Sequence, residues 1–256
     1  MKLFFKLVII FLVSFNTFAR EKGETEITTE DGIEVFQNDK FYLLKKNVKI
    51  HSDNFNLSAD NVKINFDKSL YDIIEINAEG NVFFNSLVYD IKGKGEDLKF
   101  EVKIEKLIVK GKDSELFSKN IQMFSDGYIE LNNLGGSFSL QGLNSKLVND
   151  TILIKANEIN GNFSEINNEN EITLLTVSDN NISYVKNIDT EMYAKKINFN
   201  NTTSIIELFE NVTIVRNEEK ISGDYGTLDT INNSYKIGSN NQKKVKVIIK
   251  NDEWKI

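Results

Sequence analysis

His51 is the only histidine in a chain of 256 residues that contains no cysteine. A metal site of the His/Cys kind or a Ser-His-Asp triad would have to be built around one imidazole on the polar face of an alternating segment, so a solvated His51 beside Asp53 is the favoured reading. Gly93-Lys94-Gly95 and Gly111-Lys112-Asp113 are too short for a phosphate loop, which needs four residues between the first glycine and Gly-Lys-Ser/Thr, and they read as turns. Asp60, Asp67 and Asp72 offer carboxylates without the spacing of a calcium loop. Asp60 and Asp224 would serve as an acid pair only if a fold brought them together in a polysaccharide-processing enzyme. Asn-x-Ser/Thr at Asn56, Asn162, Asn181, Asn201 and Asn211 follows from an asparagine-rich composition and implies no glycosylation. No catalytic residue, cofactor or metal ligand is assigned, and the chain reads as a non-enzyme.

The elements that would have to position such groups come next. The chain begins Met1-Lys2, carries Lys6, runs through the apolar stretch Leu7 to Val13, and reaches Thr17-Phe18-Ala19 before Arg20. This is the pattern of a secretory signal peptide over residues 1–19. An uncleaved membrane anchor is the alternative, although the apolar run is short for a span of about 20 residues. Either way the remainder is expected outside the cytoplasm. The net charge is −7, and losing Lys2 and Lys6 with the leader takes it to −7 − 2 = −9. That sign does not suit gripping a phosphate backbone, so no nucleic-acid partner is expected. Without cysteines, stability must come from an apolar core and backbone pairing.

There is no proline, and Gly, Asn, Asp and Lys punctuate short runs rich in Val, Ile, Phe, Leu and Tyr. Such a chain predicts many strands joined by tight turns and little helix. Period-two alternation is plain at Val48-Lys49-Ile50-His51, Val62-Lys63-Ile64-Asn65-Phe66, Ile74-Glu75-Ile76-Asn77-Ala78 and Ile152-Leu153-Ile154-Lys155. The chain also repeats itself. Ile64-Asn65-Phe66, Ile73-Ile74-Glu75-Ile76 and Gly80-Asn81-Val82 recur as Ile197-Asn198-Phe199, Ile205-Ile206-Glu207-Leu208 and Glu210-Asn211-Val212. Asn-Val is followed by an Ala/Gly step at a constant offset, since 60−47, 94−81 and 224−211 all give 13. The unit is read as a strand pair of about 30 residues that starts at Asn-Val, where a preceding residue tolerant of positive φ is needed. Residues 112–170 are less regular, and a boundary is placed near Ser125 to Gly127. The expected organisation is a leader over 1–19, a first half over 20–125 and a second half over 126–256.

The run from Ile27-Thr28 through Asp31-Gly32-Ile33-Glu34, Asn47-Val48-Lys49-Ile50 and Ser58-Ala59-Asp60 to Ala78-Glu79-Gly80-Asn81-Val82 resembles the OstA-like (LptA) family. The end of the chain is similar to the same family at Asn211-Val212, Ser222-Gly223-Asp224, Tyr235-Lys236-Ile237 and Val245 to Ile249. The resemblance implies an all-β, open V-shaped β-jellyroll of stacked antiparallel strand pairs, here as two tandem OstA-like halves. It also implies a non-catalytic bridge or carrier for lipopolysaccharide. The implied partners are the lipid A acyl chains, homologous OstA-like domains of the inner-membrane transporter complex and outer-membrane translocon reached by edge-strand pairing, and a head-to-tail homo-oligomer.

The inner face so implied comprises Val48, Ile50, Val62, Ile64, Phe66, Ile74, Ile76, Val82, Phe84, Leu98 and Phe100, with Ile197, Phe199, Ile206, Leu208, Val212 and Ile214 in the second half. Alternation alone leaves open whether these line a lipid groove or pack a closed sandwich. The candidate pairing edges are Phe41 to Leu44 and Val245 to Ile249, with Lys243, Lys244, Lys246 and Lys250 as charges that would instead block the second edge. Two other readings remain at this point: a structural or adhesive β-solenoid without a lipid ligand, and the polysaccharide-processing enzyme on a parallel β-helix.

Overall fold

A proline-free chain of alternating β-branched and polar residues can extend its hydrogen-bond ladder until a special backbone conformation bends it. In the computed structural model the ladder is bent rather than ended. The structure describes residues 21–150, 152–217, 219–240 and 244–248; the expected leader over 1–19, Lys243, Ile249 and Lys250 lie outside them. The strands are β1 (Glu26–Thr28), β2 (Ile33–Phe36), β3 (Phe41–His51), β4 (Phe55–Phe66), β5 (Ile73–Ser86) and β6 (Ile91–Glu101), then β7 (Lys106–Lys110), β8 (Ser114–Ser118), β9 (Ile121–Ser125) and β10 (Tyr128–Asn132). They continue as β11 (Ser137–Asn149), β12 (Ile152–Ile166), β13 (Glu169–Asn187), β14 (Thr190–Asn200), β15 (Ile205–Arg216), β16 (Glu219–Asp229), β17 (Ser234–Gly238) and β18 (Lys246–Ile248). One short 3-10 turn, Val102–Ile104, interrupts them.

Every long strand serves two walls. In β3, residues 41–44 pair with β2 and 41–45 with 61–65 of β4, whereas residues 49–51 pair with β1 and 48–51 with 56–59 of β4; the register breaks between Lys45 and Val48. The same break recurs at Glu79/Val82, Gln141/Ser145, Ser178/Ser183, Tyr193/Lys196 and Phe209/Val212. At these breaks the chain turns a corner, so one meander builds two facing sheets joined along a common edge. In the middle the corners widen. β7 and β8 are two arms of one bent path split at Gly111 to Asp113, and β9 and β10 are likewise split at Asp126-Gly127. The expected boundary near Ser125 to Gly127 falls on such a corner, and the ladder runs through it from β8 and β7 to β11.

The recurring Asn-Val phrase is the corner itself. Lys46 and Asn47 (φ 65° and 51°), Gly80 and Asn81 (76° and 49°), and Glu210 and Asn211 (61° and 57°) are consecutive pairs in the left-handed region. Asparagine tolerates that region better than most side chains and glycine enters it freely, which accounts for the composition of the phrase. Two expectations are corrected. Asn-Val lies inside β3, β5 and β15 instead of starting a strand, because the bend leaves the ladder intact on both sides. The offset of 13 also misaligns one copy. Val48 faces Ala59 and Val212 faces Gly223, but Val82 faces Gly95, since the β5–β6 hairpin is two residues longer. A polar seam follows the corners: Asn47 Nδ2 donates to Glu30 Oε1 at 3.1 Å, Asn81 Nδ2 to Asp60 Oδ2 at 3.0 Å, and the Asn180 N–H to Asn157 Oδ1 at 3.0 Å.

Between the walls the middle is dry. Val109, Leu116, Ile121, Met123, Ile129, Leu131, Leu140, Leu147, Ile154 and Ile159 are all at 0% exposure. Large rings are accommodated by glycine on the facing strand. Phe138 pairs with Gly161, and a Cβ at Gly161 would lie 2.4 Å from Phe138 Cζ and 2.8 Å from the Leu174 carbonyl oxygen. Gly93 sits in the same way under Phe84. Gly93-Lys94-Gly95 therefore lies inside β6 and is no turn, a correction whose reason is cross-strand packing. Gly161→Val should cost about 1–3 kcal/mol by overpacking, read as a lower urea midpoint with an unchanged slope.

On the outer face Glu75 accepts from Asn77 at 2.7 Å and Asn65 at 2.9 Å and pairs with Lys99 at 2.9 Å. Partial burial by itself raises its pKa, but the Asn77, Lys99 and Asn65 contacts outweigh that and hold the carboxyl below its ordinary 4.5. A depressed folded-state pKa stabilises the fold above the unfolded value and loses that contribution as pH falls through the folded one. The stability difference between the wild type and Glu75→Gln, roughly a few tenths to 1 kcal/mol for a partly exposed group, should be present at pH 7. It should fade below the ordinary carboxylate range in urea titrations at stepped pH.

Candidate lipid groove

Because side chains alternate along each arm, one face of each wall points at the other wall. Val48, Ile50, Val62, Ile64, Phe66, Ile76, Val82, Phe84 and Leu98 are buried there, with Phe100 half-buried; Ile197, Ile206, Leu208, Val212 and Ile214 are buried in the second half, with Phe199 half-buried. Ile74 is the exception, at 46% exposure. Glu75 pairs with Asn65 and Ile73 with Phe66, which leaves Ile74 as the extra residue of a bulge and turns it outward. In the second copy Ile206 pairs directly with Phe199, without a bulge, and stays inside.

At the N-terminal end the walls do not close. A cavity of about 540 Å³ opens between them, lined by Ile27 of β1, Ile33 and Val35 of β2, Tyr42 and Ile50 of β3, Phe55 and Ile64 of β4, Ile73 and Ile76 of β5, and Leu70 and Tyr71 of the β4–β5 turn. Its volume falls within the range of about 300–1,000 Å³ usual for small-molecule sites. Ile33 and Val35 are about half exposed and Tyr71 is 92% exposed. Burial pushes the Tyr42 hydroxyl above the ordinary phenol range, so this group stays neutral at the cavity wall. Charges remain outside: Lys45 pairs with Glu34 at 2.6 Å and Lys40 with Asp67 at 2.9 Å, both exposed. Thr25 and Ser52 complete the lining, and a surface of this kind can shelter alkyl chains. Of the expected inner face, Ile50, Ile64 and Ile76 reach this cavity. Ile27, Val35, Phe55, Leu70, Tyr71 and Ile73 were missed, although the alternation Ile33-Glu34-Val35 continues that of the following strand.

Residues 29–133 match the family model described as LptA/(LptD N-terminal domain) LPS transport protein. This segment, less than half of the chain, is similar to the LptA/LptD N-terminal domain. A search of curated proteins finds no match. Among solved structures the chain is similar to LptH, described as the LptA homologous periplasmic component of the conserved lipopolysaccharide transport device from Pseudomonas aeruginosa. The identity is 14% and the TM-score 0.43, over 52% of this chain and 96% of that one. The matched segment holds the cavity lining from Ile33 to Ile76, and Ile27 of β1 lies just before it.

The other residues with chemistry are scattered. His51 is exposed on β3 and meets Asn56 across the strand pair, in place of the expected Asp53, which accepts from the Gly23 N–H at 2.7 Å. Asp60 is used by the corner, Asp67 by Lys40, and Asp72 by the turn through the Lys68 N–H at 3.3 Å. Asp224 accepts from the Asn240 N–H at 2.9 Å, at the far end of the ladder from Asp60. The expected edge Phe41 to Leu44 is corrected: it pairs with β2 on one side and β4 on the other. Among the described residues the ladder begins at β1 and β2 and finishes at β17 and β18, each paired on one side.

Proposed function

We propose that the chain is a non-catalytic periplasmic carrier of lipopolysaccharide that shelters lipid A acyl chains in the cavity at its N-terminal end. The observation that carries this reading is an apolar space of about 540 Å³, walled by half-exposed aliphatic residues of an edge strand, within an LPS-transport family segment. Apolar surface held open to water is costly, and filling it recovers about 0.8 kcal/mol per methylene, so roughly 10 kcal/mol attends a chain of about twelve carbons. With a net charge of −7 the protein offers lipid phosphates no bulk attraction, so affinity rests on apolar contact. Val48, Val82, Phe84 and the second-half residues Ile197 to Ile214 belong to this reading only as surface exposed when the walls part. Residues 20–125 and 126–256 are the two halves of one slab.

The single-sided strands β1 and β2 at one end and β17 and β18 at the other suit pairing with further OstA-like domains, those of the inner-membrane transporter and the outer-membrane translocon, or with a second copy head to tail. Photo-crosslinking residues at Ile33 and Val35 should capture lipopolysaccharide in cells, while one at the outward-facing Lys63 should not. Val35→Asp should lower capture at least tenfold with little change in thermal midpoint. Equal signal at Val35 and Lys63 would leave a ligand-free structural slab as the better reading.

A further inference from the structure

β12 and β13 are the longest strands, and their excess length is used in one place. β11 stops pairing with β12 at Ser137 and Asn162, and β14 stops pairing with β13 at Asn200 and Leu174. Beyond those points Phe163 to Ile166 and Glu169 to Ile172 form strand pairs with each other, while the Phe163 N–H still donates to the Gly136 carbonyl at 2.9 Å. A register shift between Asn162 and Phe163 supplies the bend. Four residues of strand reach about 13 Å, and facing sheets lie about 10 Å apart, so this hairpin is long enough to cross from one wall to the other.

It does cross. The Asn170 N–H donates to Asn120 Oδ1 at 2.9 Å and Asn170 Nδ2 to Ser118 Oγ at 3.3 Å, both on the rim of the opposite wall. Asn149 Nδ2, at the end of β11, bridges the Asn170 and Asn120 carbonyls at 3.5 Å each. Lys119 pairs with Glu165 at 2.5 Å. Asn170 and Ser118 are 2% and 0% exposed, so these are buried polar contacts on the otherwise open side of the slab. The contact is polar and side-chain mediated where the rest of the fold is held by backbone ladder. The base of the hairpin stays in the core, where Phe163 and Ile172 are buried and Phe163 stacks on Phe138. Rupture of the tip contacts, from Ser164 to Glu171, therefore breaks few bonds and leaves the ladder whole.

We propose that the Phe163 to Ile172 hairpin is a clasp that shuts the groove at mid-length and opens locally, without unfolding of the walls. Closed, it separates the N-terminal cavity from the C-terminal half; open, it lets the walls part over the buried middle. The opening itself is independent of the lipid-carrier reading, whereas its consequence for cargo rests on it.

Hydrogen exchange on the full mature chain tests the opening. Amides at 164–171 should exchange at least tenfold faster than those at 152–156 and 183–187 of the same strands, at a rate insensitive to low urea. Lys119→Ala with Asn120→Ala should accelerate them about a further tenfold and leave residues 41–66 unchanged. Exchange of 164–171 only together with global unfolding would overturn the clasp. For the cargo, Asn120→Cys with Asn170→Cys places a single cysteine pair, in a chain that has no other cysteine, at the two residues whose contact closes the clasp, and its oxidation is checked by thiol titration. Oxidised, this variant should still capture lipopolysaccharide through a crosslinker at Ile50 and lose capture at Ile237; reduced, it should capture at both. Equal capture at Ile237 in both states would overturn the division of the groove. Absence of capture at both residues in both states would instead sink the lipid reading, with the exchange result still deciding whether the clasp opens.

Discussion

The corner is the constraint on which the structure depends. Each long strand must leave one sheet and enter the other without losing its neighbours, and two consecutive left-handed residues achieve this at Lys46-Asn47, Gly80-Asn81 and Glu210-Asn211. Non-glycine residues pay for that conformation, so it persists only where surroundings over-determine it. The surroundings here are the polar seam. Asn47 is held by Glu30, Asn81 by Asp60 and Glu210 by Lys195, each contact reaching from one corner to the next. Bend and seam together turn a meander into two facing walls, and only then do the alternating apolar residues have something to pack against.

The same geometry grades the interior along its length. In the middle the walls meet over fully buried aliphatic side chains, and the long β12–β13 hairpin seals the remaining side. At the N-terminal end β1 and β2 are short, no strand lies beyond them among the described residues, and Ile33 and Val35 face a space that no described residue fills. Burial by a neighbouring strand pair is what closes a section of this slab, so the terminal section is open for the same reason that the central ones are shut. The cavity and the closed core are therefore not competing readings of the alternation; each holds in a different part.

Much of this was legible in the residues. The absence of proline, the period-two runs and the repeated phrase foretold stacked antiparallel strand pairs, and all but one of the inner-face residues point between the walls. Ile74 escaped because a bulge depends on how many residues the partner strand supplies, which alternation within one strand does not report. Gly93-Lys94-Gly95 looked like a turn because glycine serves turns and close packing alike, and only the Phe84 ring over Gly93 decides between them. The irregular middle hid the same corners in a wider form, built at Gly111 to Asp113 and Asp126-Gly127 without the Asn-Val signature.

The sequence by itself determined the strand character and the faces, since each is a local property of side-chain alternation. Tertiary structure alone decided which sections of the inner face are sealed. It also decided that Phe41 to Leu44 is covered by β2, and that Asn170 crosses fifty residues of chain to meet Asn120. Those outcomes depend on register, relative strand length and the gap between sheets, quantities that exist only once two walls face each other.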